Sequence, residues 1–304
     1  MPYKGSKNKL AGKIFELFPR KKNFYDLFCG GCAMTHYGLL HGGFENYYMN
    51  DINPDCPELF IDAVHGKFKD EKRWISREDF FRLKDSEPYV AFCWSFGNNL
   101  RDYLYAKDIE DYKRSWHYAI FFDDFEPFKK YGVDMSPIKE IKNRYEKYLT
   151  SKNILANCRL EASRSENFER LQKLQSLKSL ESLERLERLE RLEQFSTDYQ
   201  NVNIYKDSVI YCDIPYENTD VYTLDKKQNF DFERFYSWCE KQTEPVFISS
   251  YKMPEDRFIC IATFEHRSIY AKGANNKVLE KVFIPKHQAS SYRLPGSLFN
   301  FDEM

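Results

Sequence analysis

An excess of either charge sign is absent. The 304 residues carry 46 basic and 47 acidic side chains, a formal net charge of −1, which excludes a simple polycation. No window of about 18 apolar residues is present to span a bilayer, and the opening Met1-Pro2-Tyr3-Lys4-Gly5-Ser6-Lys7 lacks the apolar stretch of a signal peptide. A cytoplasmic chain with no membrane partner is expected. Cysteine is sparse: Cys29, Cys32, Cys56, Cys93, Cys158, Cys212, Cys239 and Cys260, of which only Cys29 and Cys32 form a C-x-x-C pair. With no second pair and no histidine at finger spacing, that pair cannot complete a tetrahedral zinc site, so free thiols and no metal are expected. The Gly-x-Gly-x-x-Gly dinucleotide fingerprint is missing too.

What is present is ample material for a core: 42% of residues are apolar and 17% aromatic. The first 65 residues read as an α/β unit, with an apolar run Phe24-Tyr25-Asp26-Leu27-Phe28, a glycine turn, a helical stretch and a second run Tyr47-Tyr48-Met49. Further strand-like runs come only at Val209-Ile210-Tyr211-Cys212, Val246-Phe247-Ile248, Phe258-Ile259-Cys260-Ile261 and Lys281-Val282-Phe283-Ile284. Between the two sets, roughly 66 to 204, the chain is rich in aromatic and charged residues with helical-looking stretches.

That middle part ends in an array, residues 171–195, in which Leu171, Leu174, Leu177, Leu180, Leu183, Leu186, Leu189, Leu192 and Phe195 recur at every third position. In an α-helix such a stripe drifts by about −60° per repeat, so a straight amphipathic α-helix does not fit. A 3₁₀-helix would align the stripe but rarely runs beyond a few residues, and coiled-coil packing needs an alternating three-four spacing. A helical spacer packed on the neighbouring domain is the plainer expectation, and an arm that binds a partner or DNA is the other.

Two segments carry chemistry. In Asp26-Leu27-Phe28-Cys29-Gly30-Gly31-Cys32-Ala33 a strand ends in a glycine turn, and Asn50-Asp51-Ile52-Asn53 closes the next strand. Glycine admits close backbone approach to a ligand, and an acidic residue at the tip of a second strand is placed to accept from ribose hydroxyls. The other segment is Tyr211-Cys212-Asp213-Ile214-Pro215-Tyr216. Asp213 can accept one hydrogen of an amino group on a flat ring, the Ile214 carbonyl the other, and Tyr216 can stack on the ring. Preceding a proline biases Ile214 to an extended backbone, which helps fix that carbonyl.

Together these segments resemble the Dam-type DNA adenine methyltransferases, which transfer a methyl group from S-adenosylmethionine to the exocyclic amino nitrogen of adenine. Tyr3-Lys4-Gly5-Ser6-Lys7 is similar to that family's N-terminal cofactor segment, residues 26–31 to its cofactor loop and Asn50-Asp51-Ile52-Asn53 to its ribose turn. Asp213-Ile214-Pro215-Tyr216 is similar to its catalytic Asp-Pro-Pro-Tyr. Phe247-Ile248-Ser249-Ser250, His266-Arg267-Ser268-Ile269 and residues 276–284 follow the order of its closing strands. Ile214 stands where that motif has proline, Cys32 where many relatives have glycine, and Trp94-Ser95-Phe96-Gly97-Asn98-Asn99 replaces the usual signature of the middle region.

The resemblance implies an α/β fold: a Rossmann-like class I methyltransferase sheet built from residues 1–65 and 205–304, with a mainly helical target-recognition domain inserted at 66–204. It implies catalytic Asp213, Ile214, Pro215 and Tyr216, and cofactor contacts at Tyr3, Lys7, Asp26, Phe28, Gly30, Asp51, Ile52 and Asp213. The partner is double-stranded DNA with the adenine flipped out between Tyr216 and Phe28, with or without a companion restriction nuclease. Cys29 and Cys32 are not needed as nucleophiles. Phosphate contacts have two basic sources. Residues 1–22 hold seven basic side chains against one acidic, and residues 252–293 hold eight against four. Lys272, Asn275, Asn276 and Lys277 in the second patch, and Asn98, Asn99 and Arg101 in the middle region, are the expected DNA contacts. The alternatives are an inactive cofactor- or DNA-binding relative, and an enzyme that methylates amino groups of RNA or of cytosine.

Overall fold

A computed structural model describes residues 7–157, 166–180, 183, 187–215, 230–267 and 277–292. Tyr3, Tyr216, Lys272, Asn275 and Asn276 lie outside the described residues, as does the side chain of Lys277. The chain divides into two compact units, one made of Tyr3–Ile61 with Ser182–Met304 and the other of Asp62–Glu181.

In the first unit α1 (Ala11–Phe15) leads into β1 (Asn23–Asp26), α2 (Ala33–Tyr37), β2 (Asn46–Asn50) and α3 (Asp55–Val64), whose last residues belong to the second unit. The second unit holds α4 (Arg77–Leu83), α5 (Pro88–Cys93), α6 (Glu110–Phe122), α7 (Glu126–Lys129), α8 (Arg144–Asn157) and α9 (Glu166–Ser179). The chain then returns to the first unit with β3 (Leu192–Phe195), β4 (Ser208–Asp213), α10 (Phe232–Cys239), β5 (Val246–Ser250), β6 (Phe258–Arg267) and β7 (Lys277–Pro285).

The sheet order is β3-β2-β1-β4-β5-β7-β6. The first five strands are parallel, while β7 pairs antiparallel with both β5 and β6. Strand order reverses between β1 and β4, and in such sheets a ligand crevice forms there, outside the carboxyl ends of the strands. This is the Rossmann-like class I methyltransferase arrangement. Every residue of β1 and β5 is buried, as expected of parallel strands covered on both faces. Tyr25 stacks on Tyr48 across β1 and β2, ring centroids 4.3 Å apart. Behind them α2 continues into a π-helical turn at Gly38–Gly42, where a Cβ on Gly38 would come within 2.9 Å of the Tyr47 ring, so only glycine lets this turn sit so close to β2.

The leucine array corrects the expectation of a single helical spacer. Its first part is α-helical, in α9, with Leu174 and Leu177 buried. Two or three leucines drifting by about 60° each still fit an apolar stripe a little over 100° wide, so α geometry survives for a few repeats and no more. Further on the chain is 3₁₀ at Glu187–Arg191, and Leu192–Phe195 pairs with β2 as the edge strand of the sheet. The array therefore ends inside the sheet-bearing unit and supplies one of its strands, which the expected insertion limits of 66–204 had assigned to the middle domain.

The second unit is built on aromatic packing. Trp74 stacks on Tyr105 at 5.4 Å and meets Trp94 edge-on at 5.2 Å, and Trp116 stacks on Tyr148 at 5.1 Å while its indole nitrogen donates to Ser151 Oγ at 2.7 Å. Between α5 and α6 the residues Gly97, Asn98 and Leu100 all have left-handed backbone conformations, closed by a bridge between Ser95 and Tyr103.

Candidate active site

The register of the central strands sets the site. Asp26 at the end of β1 lies opposite Met49 of β2 and Tyr211 of β4, so Asp51 and Asp213 each extend two residues past it at the same carboxyl edge. Local sequence explains how the chain leaves that edge. The Cys29 amide donates to the Asn50 carbonyl at 2.9 Å, and Asn50 bonds through its side chain to Leu27 and Thr197, tying the turn after β1 to the segment after β3.

Asp26 is buried and accepts from the backbone amide and hydroxyl of Thr35 at 3.1 and 2.8 Å, at the start of α2. Burial pushes its carboxyl up to about 7 against the lowering effect of both Thr35 bonds. Asp51 accepts from the Gly30 amide at 2.8 Å and the Asn53 amide at 2.9 Å, so one carboxylate fastens the two turns together. Burial raises its pKa, and the two amides oppose the rise. Next to it Ile52 is 72% exposed, an apolar side chain left open to solvent at the strand tip.

At the end of β4, Lys7 Nζ lies 2.7 Å from each carboxylate oxygen of Asp213 and 3.8 Å from Glu280 in β7. Lys7 is 5% exposed. Burial by itself would lower its pKa, but the carboxylates of Asp213 and Glu280 more than offset this and hold it raised. Below them the Tyr211 hydroxyl donates to Ser249 Oγ at 2.7 Å, linking β4 to β5. Ile214 is buried in the cluster formed by Cys212, Phe235 and Ile248, so packing anchors the residue whose φ a proline ring would have fixed, while Pro215 is exposed.

Cys32 has φ +54°, ψ +33° immediately before α2, the left-handed region that glycine occupies freely. Its thiol is fully buried, 3.6 Å from Cys29 Sγ and 3.6 Å from the Gly30 carbonyl, and so lies inside the turn. Burial drives the Cys29 thiol well up, and the adjacent Cys32 adds to this, so Cys29 is a poor nucleophile. Among the described residues, no group of three or more His, Cys, Asp or Glu side chains could hold a metal.

The other expected residues are more dispersed. Phe28 packs against Tyr199, Phe230 and Phe235, with ring centroids 5.3, 5.8 and 5.8 Å away. In the second unit Asn99 Oδ1 accepts from the amides of Arg101 and Asp102, and Arg101 pairs with Asp102, so these side chains hold their own loop together. Asn98 Oδ1 is buried with no hydrogen-bond partner among the described residues. The basic patches are partly neutralised: Lys7 pairs as above, Lys21 with Asp207 and Glu244, and Arg257 with Glu233 and Glu240. Sequence reading passed over Glu280, although alternation along β7 places it on the face of Val282 and Ile284, where an acidic residue in an apolar row needs a partner.

A family model described as D12 class N6 adenine-specific DNA methyltransferase matches residues 3–242. No curated protein matches. Among solved structures the chain is similar to the rRNA methyltransferase aviRa from Streptomyces viridochromogenes, with 12% identity, a TM-score of 0.37 and coverage of 93% of this chain and 86% of that one. The family match takes in the turns after β1 and β2, the strand ending in Asp213 and the whole middle unit, and the chain belongs to the D12 class of N6 adenine-specific DNA methyltransferases.

Proposed function

We propose that the carboxyl edge of the sheet binds S-adenosylmethionine and that Asp213, with the Ile214 carbonyl, receives the amino group of an adenine flipped out of double-stranded DNA. The observation that carries this reading is the meeting of Lys7 with Asp213, 206 positions apart, at the same edge where Asp26 and Asp51 close their turns. The residues fit the cofactor. Asp51 presents a carboxylate that can accept from ribose hydroxyls, exposed Ile52 offers an apolar surface for the adenine of the donor, and Gly30, at φ +44°, leaves the turn without a Cβ.

When bound, S-adenosylmethionine supplies a methyl carbon that bonds to the amino nitrogen while the carbon–sulfur electron pair stays on sulfur. The protein's part is placement and hydrogen bonding. The Asp213 carboxylate accepts one amino hydrogen while the Ile214 carbonyl accepts the other. Drawing both hydrogens to one side favours a tetrahedral nitrogen whose lone pair is no longer delocalised into the ring. The excess proton leaves the nitrogen for solvent after transfer. Tyr216, directly after Pro215, stacks on the flipped ring, as does Phe28.

The middle unit serves target recognition in this reading, with Asn98, Asn99 and Arg101 on its left-handed loop, while Lys272, Asn275, Asn276 and Lys277 contact phosphates. Incubation with methyl-labelled S-adenosylmethionine and adenine-containing duplex DNA, followed by nucleoside analysis, tests it. Label in N6-methyl-2′-deoxyadenosine from the parent protein but not from Asp213→Ala supports the reading. Label in a methylated cytosine, or none with either protein, overturns it.

A further inference from the structure

The leucine array supplies one strand to the sheet, and its helical part also carries a buried lysine. Lys173, directly before Leu174 in α9, is 3% exposed, and its Nζ donates to the Ser95 carbonyl at 3.2 Å across 78 positions of sequence. Burying an ammonium costs free energy unless its hydrogens find acceptors, and a buried carbonyl equally calls for a donor. Ser95 is fully buried, and its bridge to Tyr103 closes the loop of residues 95–103. The hydrogen bonds that hold this bridge come from the flanking residues, Phe96 amide to Asp102 carbonyl and Leu104 amide to Trp94 carbonyl, each at 2.9 Å, and neither uses the Ser95 carbonyl. Lys173 reaches that carbonyl from outside the loop, on a helix that contacts α5 and whose Leu174 and Leu177 are buried.

Beyond Ser95 the backbone is left-handed at Gly97, Asn98 and Leu100, conformations that persist where the surroundings hold them. Asn99 and Arg101, assigned above to target contact, stand on this stretch. Their aim depends on where the loop is rooted, and a fixed carbonyl at its first residue roots it. We propose that Lys173 is a positioning residue for target recognition: through the Ser95 carbonyl it sets the base of the loop, so that the leucine array braces the element that selects the DNA sequence. This rests on the reading of residues 95–103 as a recognition element. Lys178, about 7.5 Å further along the axis of α9, donates to the Lys69 carbonyl, so a second lysine anchors the helix without using the loop.

The test is methylation by the full chain of duplexes in which the base pairs around one adenine are randomised. Sequencing the methylated adenines gives the preferred duplex, and kcat/KM on it relative to a duplex with one base pair changed gives the preference. Lys173→Met is expected to reduce that ratio by about tenfold, since a displacement of the order of 1 Å at a contacting side chain costs that much or more, while affinity for S-adenosylmethionine stays at the parent value. Lys173→Arg, which keeps a donor for the carbonyl, retains most of the preference, and Lys178→Met retains all of it. An unchanged ratio in Lys173→Met overturns the proposal. So does an equal loss in Lys178→Met, which would make both lysines ties of the helix alone, and so does an arginine variant no better than Lys173→Met. Should Lys173→Met fail to fold, Lys173→Gln, one atom shorter and still polar, is held to the same expectation. A parent protein without sequence preference, or an Arg101→Ala variant that keeps it, overturns the reading of the loop itself.

Discussion

Lys7 Nζ is 2.7 Å from both carboxylate oxygens of Asp213, although 206 positions separate them along the chain. One end of that contact is 5% exposed and sits beside a second buried carboxylate, so the pair is maintained by its own geometry and shielded from screening by salt. It joins the N-terminal segment to the end of β4 and makes the two motifs one site.

Lys7→Met removes that ammonium from beside Asp213 and Glu280. Breaking a buried pair from one side is strongly destabilising, so a loss on the order of 3 kcal/mol is expected in chemical denaturation. Methyl transfer to adenine should fall by more than about a hundredfold, because Asp213 loses the contact to both of its oxygens that orients it. Activity near that of the parent would remove Lys7 from the site.

Asp213→Asn keeps a side-chain oxygen able to accept from the amino group but gives up the charge that Lys7 grips. An intermediate loss of turnover is expected, smaller than the loss of roughly a hundred- to a thousandfold for Asp213→Ala. Single-turnover rates at saturating donor measure this directly. Equal rates for the two variants would show that hydrogen-bond acceptance at this position does not contribute.

Asp26 sets a pH dependence. Its carboxyl is pushed by burial from an ordinary 3.8 up to about 7, so between these values the folded protein binds a proton that the unfolded chain has released. The contribution is thus fully present below about pH 4 and is lost as pH rises through about 7, lowering stability by on the order of a few kcal/mol across that window. Asp26→Asn cannot ionise, so its denaturation midpoint should vary less than the parent's between acid and neutral pH. Parallel curves for the two proteins would refute the assignment.

Cys32 is held at φ +54°, where a side chain costs roughly 1–2 kcal/mol that glycine avoids. Cys32→Ala keeps the strain and loses the buried thiol, whereas Cys32→Gly loses the thiol and the strain together. The glycine variant should therefore melt above the alanine variant by a few degrees, even though it deletes more atoms. The reverse order of melting temperatures would show that packing of the Cβ outweighs the backbone conformation.

Where structure is decided locally, the residues speak for themselves. The apolar runs at 47–49, 209–212, 246–248, 258–261 and 281–284 each fall on a strand, and the run at 24–28 starts on one that ends at Asp26, because a run of aromatic and β-branched residues between turn signals has few other ways to be buried. The turns at Gly30 and Asp51, and the Asp-Ile-Pro segment at 213–215, likewise lie where their motifs placed them, at strand ends. The leucine array gave no such guidance. Leu192–Phe195 has neither a period of two nor a turn before it, and it becomes a strand because the exposed edge of β2 offers unpaired backbone groups.

The site itself needed the third dimension. The family resemblance marked Lys7 as a cofactor residue, and it marked Asp213 as both a catalytic and a cofactor one, on segments distant in the chain. Only the parallel pairing of β4 beside β1, and the return of β7 beside β5, brings Lys7, Asp213 and Glu280 within ion-pair distance. Residue identity determined which chemistry was available, since a carboxylate and a following carbonyl are a device for an amino group wherever they occur. Which charges share that chemistry was decided by sheet topology, because Coulomb interaction depends on distance in space and local sequence does not encode distances between strands far apart in the chain.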